Sequence, residues 1–108
     1  MTLTSRGLIS VSTPGTPVTL STDPTQRASK LFFQVIPGQT GKTYVGVPGM
    51  NKSTLQGVSR ILWPNPNGGI CDQFFIEAQD ARDSITLANY AIDVDVAGEG
   101  LLVSYWTE

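Results

Sequence analysis

The sequence predicts an all-β protein, an antiparallel β-sandwich or a jelly roll with about eight strands in two sheets packed face to face. Three observations predict this fold. Residues 90–96 place Ile92 and Val94 on one face of a strand and Asp93 and Asp95 on the other, as expected when one side is buried. Glycine and proline recur at short intervals, which leaves no room for long helices. The intervals themselves are rich in β-branched and aromatic residues.

Runs with strand character follow one another along the chain. They are residues 8–11, 18–21, 30–36, 43–47, 58–63, 73–78, 90–96 and 101–106. Residues 31–36 and 74–76 are apolar at successive positions, which predicts central strands or strands covered by another subunit. The last two runs are joined by a Gly-flanked link over 97–100, and we interpret them as a closing β-hairpin.

Three segments are predicted to lie outside the strands. Residues 49–57 are polar and bounded by glycines, so they predict a loop. Residues 79–88 have weak helical character and are interpreted as a loop with one turn. Residues 1–7 contain few core-forming positions and are interpreted as an N-terminal arm that becomes ordered on contact with a partner. Residues 1–108 are expected to form a single β-sandwich domain.

The composition excludes several kinds of partner. Net charge is −2 and the seven basic residues are scattered singly, so we expect no nucleic-acid partner. No apolar run approaches the ~20 residues that span a bilayer, so we expect no membrane partner. The single Cys71 cannot form an internal disulfide, which favours assembly in a reducing cytoplasm. Charged residues make up only 15%, which is typical of a protein packed against neighbours.

The chemistry of the side chains does not predict an enzyme. The chain has no histidine, the commonest general base and metal ligand, so we expect no catalytic residue, no metal and no cofactor. Asp93, Asp95 and Glu99 carry the oxygens that calcium prefers, but their spacing does not fit an EF-hand. A solvated strand face is the favoured interpretation of these carboxylates, with a calcium site as the alternative. Cys71 has no histidine to activate it and is expected to be inert.

Two further features have competing interpretations. Residues 37–43 end in Gly-Lys-Thr like a phosphate-binding loop, but Ile36 stands where that motif needs glycine and a strand follows. We therefore interpret them as a hairpin connection. Trp63 and Trp106 flank strand ends, where a tryptophan caps a core or anchors an interface. The uncharged, proline-containing loop over 63–69 is suited to contact with another protein.

Several stretches taken together resemble a known class of proteins. They are residues 28–35 (ASKLFFQV) with 41–46 (GKTYVG), residues 85–95 (ITLANYAIDVD) and residues 98–106 (GEGLLVSYW). This set, which covers roughly residues 28–106, resembles the small β-sandwich virion proteins of tailed bacteriophages that decorate or cement a capsid. None of the stretches is a catalytic signature.

The resemblance implies a jelly-roll-like subunit that assembles as a homotrimer or homodimer on the outer surface of the virion capsid. Its partners would be the major capsid protein and further copies of itself, and it would help the shell resist the pressure of the packaged DNA. We predict contacts with partners at Leu3, Arg6, Leu8, Trp63 and Trp106.

A second hypothesis comes from a different class of function. Jelly rolls often carry sugar sites on a concave sheet, so the chain could instead be a carbohydrate- or receptor-binding module of a phage tail. Trp63, Tyr44 and Trp106 would then stack on the sugar.

Overall fold

The computed structural model describes residues 2–65, 71–78 and 85–107, and it confirms an all-β architecture. Ten strands occur within these residues, with one 3₁₀ helix at Leu87–Asn89. The strands are β1 (Thr2–Ser10), β2 (Val18–Thr19), β3 (Arg27–Ala28), β4 (Lys30–Val35), β5 (Thr43–Asn51), β6 (Gln56–Leu62), β7 (Gln73–Glu77), β8 (Ile85–Thr86), β9 (Ala91–Val94) and β10 (Gly100–Thr107). Each of the eight predicted runs overlaps one of the longer strands or β2. The two-residue strands β3 and β8 were not predicted, because they are too short to show a periodicity.

The strands form two four-stranded sheets and one small sheet. The first sheet has the order β1-β10-β4-β7, the second has the order β2-β9-β5-β6, and β3 pairs with β8. Every pair is antiparallel. Five of the pairs are nested in the chain: β1 with β10, β2 with β9, β3 with β8, β4 with β7 and β5 with β6. The chain is therefore one long antiparallel ribbon that is rolled up, which is the jelly-roll arrangement.

The core lies between the inner faces of the two sheets. Along β10, Leu101, Val103 and Tyr105 are buried while the residues between them are more exposed. Val45 and Ile92 meet them from the second sheet and are fully buried. The remaining buried members of this cluster are Val11, Leu20, Ala28, Leu31, Phe33, Val35, Leu62, Ile85, Leu87 and Val94. Each fully buried Val, Leu, Ile or Phe stabilises the fold by about 1.5–3 kcal/mol relative to an exposed side chain.

The apolar run in β4 was predicted to belong to a central strand or to a strand covered by another subunit, and the structure shows a central strand. The run at 74–76, for which the same prediction was made, lies in β7, which is an edge strand and not a central one. β4 lies between β10 and β7 in the first sheet. Phe33 is on its inner face and stacks on Phe74 of β7, with ring centroids 6.1 Å apart. The run is apolar at successive positions because its outer face also carries a phenylalanine, Phe32.

Two predicted hairpins are wrong. β9 belongs to the second sheet and β10 to the first, so these strands face each other across the core instead of pairing side by side. The link between β4 and β5, predicted as a hairpin connection over 37–43, also crosses from one sheet to the other. In both cases glycines reverse the chain as predicted. The alternation of apolar residues does not distinguish a strand that pairs in the plane from one that packs on the opposite side of the core.

The N-terminal residues are part of a strand and not a free arm. Thr2 to Gly7 lie in β1, which pairs with β10 from Thr2 opposite Thr107 to Ser10 opposite Gly100. The pairing shifts by one residue at Arg6, which forms a bulge between Ser5 and Gly7. β1 is an edge strand, and bulges at edges hinder uncontrolled pairing with other chains.

Two predicted loops can be compared only in part. The loop predicted over 49–57 is shorter, because β5 continues to Asn51 and β6 begins at Gln56. Of the loop with one turn predicted over 79–88, residues 79–84 lie outside the described residues, and the 3₁₀ helix begins at Leu87. Residues 66–69 of the proline-containing loop also lie outside them.

The close approach of β1 to the start of β10 gives a first prediction. A β-carbon on Gly100 would overlap the carbonyl oxygen of Ile9 and would lie 2.8 Å from the α-carbon of Ser10, both of them backbone atoms. We expect Gly100→Ala to destabilise the fold by about 3 kcal/mol or more, measured by urea denaturation. Gly38→Ala is the control. Gly38 has a φ of +88° but open space around it, so only the left-handed backbone strain of about 1 kcal/mol should appear. Equal losses in the two variants would contradict the close approach.

Candidate interaction surface

The outer face of the first sheet has a regular arrangement of side chains. Residues directly opposite each other in an antiparallel pair point to the same side of the sheet. The strand register therefore places twelve residues on this face in three rows across β1, β10, β4 and β7. The rows are Leu3, Trp106, Lys30 and Glu77; Ser5, Ser104, Phe32 and Phe75; and Leu8, Leu102, Gln34 and Gln73.

This outer face is unusually apolar for a sheet that meets solvent. Six of its twelve residues are apolar, and four of these are counted among the exposed large hydrophobic side chains, with exposed fractions of 54% for Leu3, 53% for Leu8, 57% for Phe75 and 39% for Leu102. The rings of Phe32 and Phe75 lie 6.2 Å apart. An antiparallel sheet with one solvated side normally alternates apolar and polar residues, so a face of this kind is a candidate interaction surface.

A shallow pocket lies within the outer face. Its volume is about 490 Å³, and Phe32, Phe75, Leu102 and Ser104 are among the residues that line it. The ion pair between Lys30 and Glu77, with 3.8 Å between Nζ and Oε1, lies at one corner of the face and leaves it without net charge.

The structure brings together only part of the predicted contact set. Leu3, Leu8 and Trp106 lie on the outer face. Arg6 is in the bulge, where its guanidinium donates a hydrogen bond of 3.0 Å to the carbonyl oxygen of Leu20. Trp63 follows β6 in the second sheet, so it is not part of this face.

Trp63 is nevertheless prominent. It is 61% exposed, the highest value among the large apolar side chains that the structure describes as exposed. Its backbone N–H donates to the carboxylate of Asp72 at 2.9 Å, and the ammonium of Lys42 lies 5.1 Å from its ring centroid. These contacts hold the tryptophan at the end of the sandwich without covering it.

Four links between the sheets lie at that same end, which we call the crossing end. They join β1 to β2, β4 to β5, β6 to β7 and β9 to β10. The link between β4 and β5 contains residues 37–43, whose sequence ends in Gly-Lys-Thr like a phosphate-binding loop. Its amides at Thr40 and Gly41 donate to the carboxylate of Glu99, each at 3.0 Å. A carboxylate of the chain itself therefore occupies the position where a bound anion would accept hydrogen bonds.

The predicted solvated face of β9 is partly wrong. Asp93 is fully buried, and its Oδ1 accepts hydrogen bonds from the amides of Gly15 at 3.0 Å and Val94 at 2.8 Å. Asp95 is exposed but binds the ammonium of Lys52 at 3.0 Å. This ammonium is an internal cation beside the carboxylate that had been considered for calcium. Within the described residues, no group of three or more potential metal-ligating side chains occurs.

Asp93 is buried because the outer side of the second sheet is covered by the chain itself. The register between β5 and β6 shifts between Gly46 and Asn51, and Met50 in this region is buried with Tyr44 and Ala91. Lys52, which follows β5, reaches back to β9 and donates to the carbonyl oxygen of Val94 at 2.7 Å. The second sheet therefore has apolar residues covered on both sides.

The aromatic residues considered for sugar stacking do not form one site. Tyr44 is only 5% exposed, and its hydroxyl donates to Asp95. Trp106 is on the outer face of the first sheet, whereas Trp63 is at the crossing end. The geometry gives no support to a sugar platform built from these three residues.

Phe32, Phe75 and Leu102 are members of the outer face that were not among the predicted contact residues, although the runs that contain Phe32 and Phe75 were predicted to be central strands or strands covered by another subunit. The sequence did contain a signal for two of them, because successive side chains of a strand point to opposite faces of the sheet. If Phe33 and Leu101 face inward, then their neighbours Phe32 and Leu102 must face outward. Because the partner strands were not known, the residues could not be combined into one surface.

Comparisons of the chain with protein-family models, with curated proteins and with solved structures found no match. In the part of the chain that the structure describes, no helix has the length and apolar character needed to cross a membrane.

The Glu99 contacts give a second prediction. Glu99→Ala leaves the amides of Thr40 and Gly41 without their acceptor, and we expect a loss of about 1–3 kcal/mol in the free energy of unfolding. Glu77→Ala is the matched control, because Glu77 is half-exposed and its ion pair is long. It should cost less than about 1 kcal/mol. Thermal denaturation monitored by circular dichroism measures both, and equal effects would contradict the role given to Glu99.

Tyr44 gives a third prediction. Burial raises the pKa of Tyr44 above its ordinary value, and the hydrogen bond to Asp95 and the charges of Asp95 and Asp93 raise it further. The folded state therefore holds this proton more tightly than the unfolded chain. The resulting stability is fully present below a pH of about 10 and is lost as the pH rises through the folded pKa.

We expect Tyr44→Phe to remove this component of alkaline destabilisation, although it also loses the hydrogen bond to Asp95. Urea midpoints measured from about pH 9 to pH 11 should fall more steeply for the wild type than for the variant. Parallel curves would contradict the raised pKa.

Proposed function

We propose that this protein is a structural component of a bacteriophage virion, which decorates or cements the capsid by binding the lattice of major capsid protein as a small homo-oligomer. The observation that carries the proposal is the apolar outer face of the first sheet. A face of this size and composition supports a role in assembly, because apolar patches of this kind are typical of protein–protein contacts.

The contrast between the two sheets supports the same proposal. The outer side of the second sheet is covered by the chain, with Tyr44, Met50 and Ala91 buried there. The first sheet carries four large, exposed apolar side chains on its outer side. An assembly protein needs a folded domain that is stable without its partner and a surface that is open to a neighbour. The covered second sheet fits the first requirement, and the exposed face of the first sheet fits the second.

The site of action would be the outer surface of the shell, after assembly in the host cytoplasm. A protein that bridges neighbouring subunits of a lattice gains affinity from binding at several points at once. A subunit with one surface for copies of itself and another for the capsid protein fits that requirement. We assign the capsid contact to the crossing end, where Trp63 is exposed and held by Asp72 and Lys42.

This assignment gives a fourth prediction. Purified protein should co-sediment with empty capsids built from the major capsid protein of the same phage, and should raise the temperature at which those capsids disrupt. Trp63→Ala should lower capsid affinity by about tenfold or more, because exposed tryptophans are frequent anchors of interfaces. Val47→Ala is the matched control, since Val47 is also exposed, at 51%, but lies on the β5–β6 hairpin.

The outcomes separate the two functional classes. Failure of the wild-type protein to bind capsids would overturn the proposal. Binding to isolated glycans that is lost in Trp63→Ala, with no binding to capsids, would instead support a sugar-binding module of a phage tail.

A further inference from the structure

The outer face of the first sheet has a symmetry that its rows make visible. On β1 and β10 the residues in the first and third rows are apolar and the residue in the middle row is serine, as in Leu3, Ser5 and Leu8 of β1. On β4 and β7 the residues in the first and third rows are polar and the residue in the middle row is phenylalanine. Each strand therefore presents similar residues on both sides of the middle row. The strand patterns are Leu3-Ser5-Leu8, Trp106-Ser104-Leu102, Lys30-Phe32-Gln34 and Glu77-Phe75-Gln73.

This pattern matches what a two-fold contact between identical faces requires. Two copies that meet face to face around an axis lying in the contact plane bring each surface patch against its symmetry mate. If the axis runs along the middle row, the first row of one copy lies against the third row of the other copy. The middle rows of the two copies lie against each other. Apolar residues then meet apolar ones, as with Leu3 against Leu8, and polar residues meet polar ones throughout the face.

We propose that the outer face of the first sheet binds the same face of a second copy of this chain, around a two-fold axis that crosses the strands along the Ser5-Ser104-Phe32-Phe75 row. The other simple axis, parallel to the strands, is disfavoured by the residues. It would exchange β1 with β7 and place Leu3 against Glu77 and Ser5 against Phe75.

Charge also favours a second copy as the occupant. The charged residues of the face are Lys30 and Glu77, which are paired and sum to zero, so two such faces do not repel each other. In the proposed dimer each of them meets an amide side chain of the second copy, Gln34 opposite Lys30 and Gln73 opposite Glu77. An amide can accept from the first and donate to the second.

The size of the face sets the expected strength. Four strands spaced by about 4.8 Å and three rows spaced by about 6.7 Å give a contact of roughly 20 Å by 20 Å. This footprint of about 400 Å² is below the about 800 Å² of accessible surface that stable interfaces bury on each partner, and it is the size of a weak, transient contact. We therefore expect a dimer that dissociates in the micromolar range.

The inference deepens the proposed function by naming the surface and symmetry of self-association, but its test does not involve capsids. A dimer that ignores capsids would contradict the proposed function alone. A monomer that binds capsids would contradict this inference and the homo-oligomer in the proposed function, but it would leave the proposed capsid binding intact.

The experiment is a charge-swap series at Phe75, which meets its own copy across the proposed axis. Sedimentation velocity of the wild-type chain from about 1 to 200 µM should show the mass rise from 11.6 kDa to twice that value. Phe75→Glu and Phe75→Lys should each weaken the dimer at least tenfold, because like charges then face each other. An equimolar mixture of these two variants should recover the dimer, because opposite charges meet across the axis.

One control and one further test variant accompany the series. Val47→Glu places the same charge on an equally exposed apolar position outside the face and should leave the dimer intact. Leu8→Glu, which would face Leu3 of the second copy, should weaken the dimer even if the Phe75 variants fail to fold. Circular dichroism checks folding in each case.

Several outcomes would overturn the inference. These are a wild-type monomer over the whole concentration range, a trimer, a dimer that is insensitive to Phe75→Glu and Leu8→Glu, or a mixture of the two Phe75 variants that stays monomeric. A wild-type monomer whose capsid binding is lost in Phe75→Glu would assign the face to the capsid protein instead.

Discussion

The rest of the structure depends on how the chain crosses between its two sheets. At a crossing, the backbone leaves one hydrogen-bonded ladder before it enters another, and its amides need acceptors in between. Carboxylates supply several of them at the crossing end: Asp72 accepts from Trp63, Asp93 from Gly15, and Glu99 from Thr40 and Gly41. Three of the few charged side chains thus hold links in place, and the two sheets can pack at a fixed distance because their connections are fixed.

The two sheets differ in what covers their outer sides. The end of the β5–β6 hairpin covers part of the second sheet, so Tyr44 and Met50 are buried there. The first sheet has apolar residues on both sides and only the core to cover one of them. A strand such as β4 therefore carries one phenylalanine, Phe33, in the core and another, Phe32, on the outer side of the sheet.

The sequence allowed the strands to be predicted well and their partners poorly. Period-two patterns such as Leu101, Val103 and Tyr105 depend on local burial, and they identified strands directly. The predicted hairpin between β9 and β10 failed because the same alternation fits a strand that packs across the core. Asp93 was predicted to be solvated because its alternation with Ile92 and Val94 shows only which side of the sheet it is on. The alternation does not show that the amide of Gly15, 78 residues away in the chain, donates a hydrogen bond to it. Leu3, Leu8 and Trp106 were predicted as contacts one by one, and only the register unites them with Phe32, Phe75 and Leu102.

The nested pairing of the ribbon has a consequence for the order in which the chain folds. Among the five nested pairs, only β5 and β6 are consecutive in the sequence. Each further pair encloses a longer stretch of chain, up to β1 with β10. Closing a long loop in an unfolded chain costs entropy, but each inner pair, once formed, shortens the effective loop that the next pair must close. The ribbon can therefore zip from its hairpin towards its two ends. The outer face forms last, because it needs β1 and β10, so its apolar residues come together only when the core beneath them is complete.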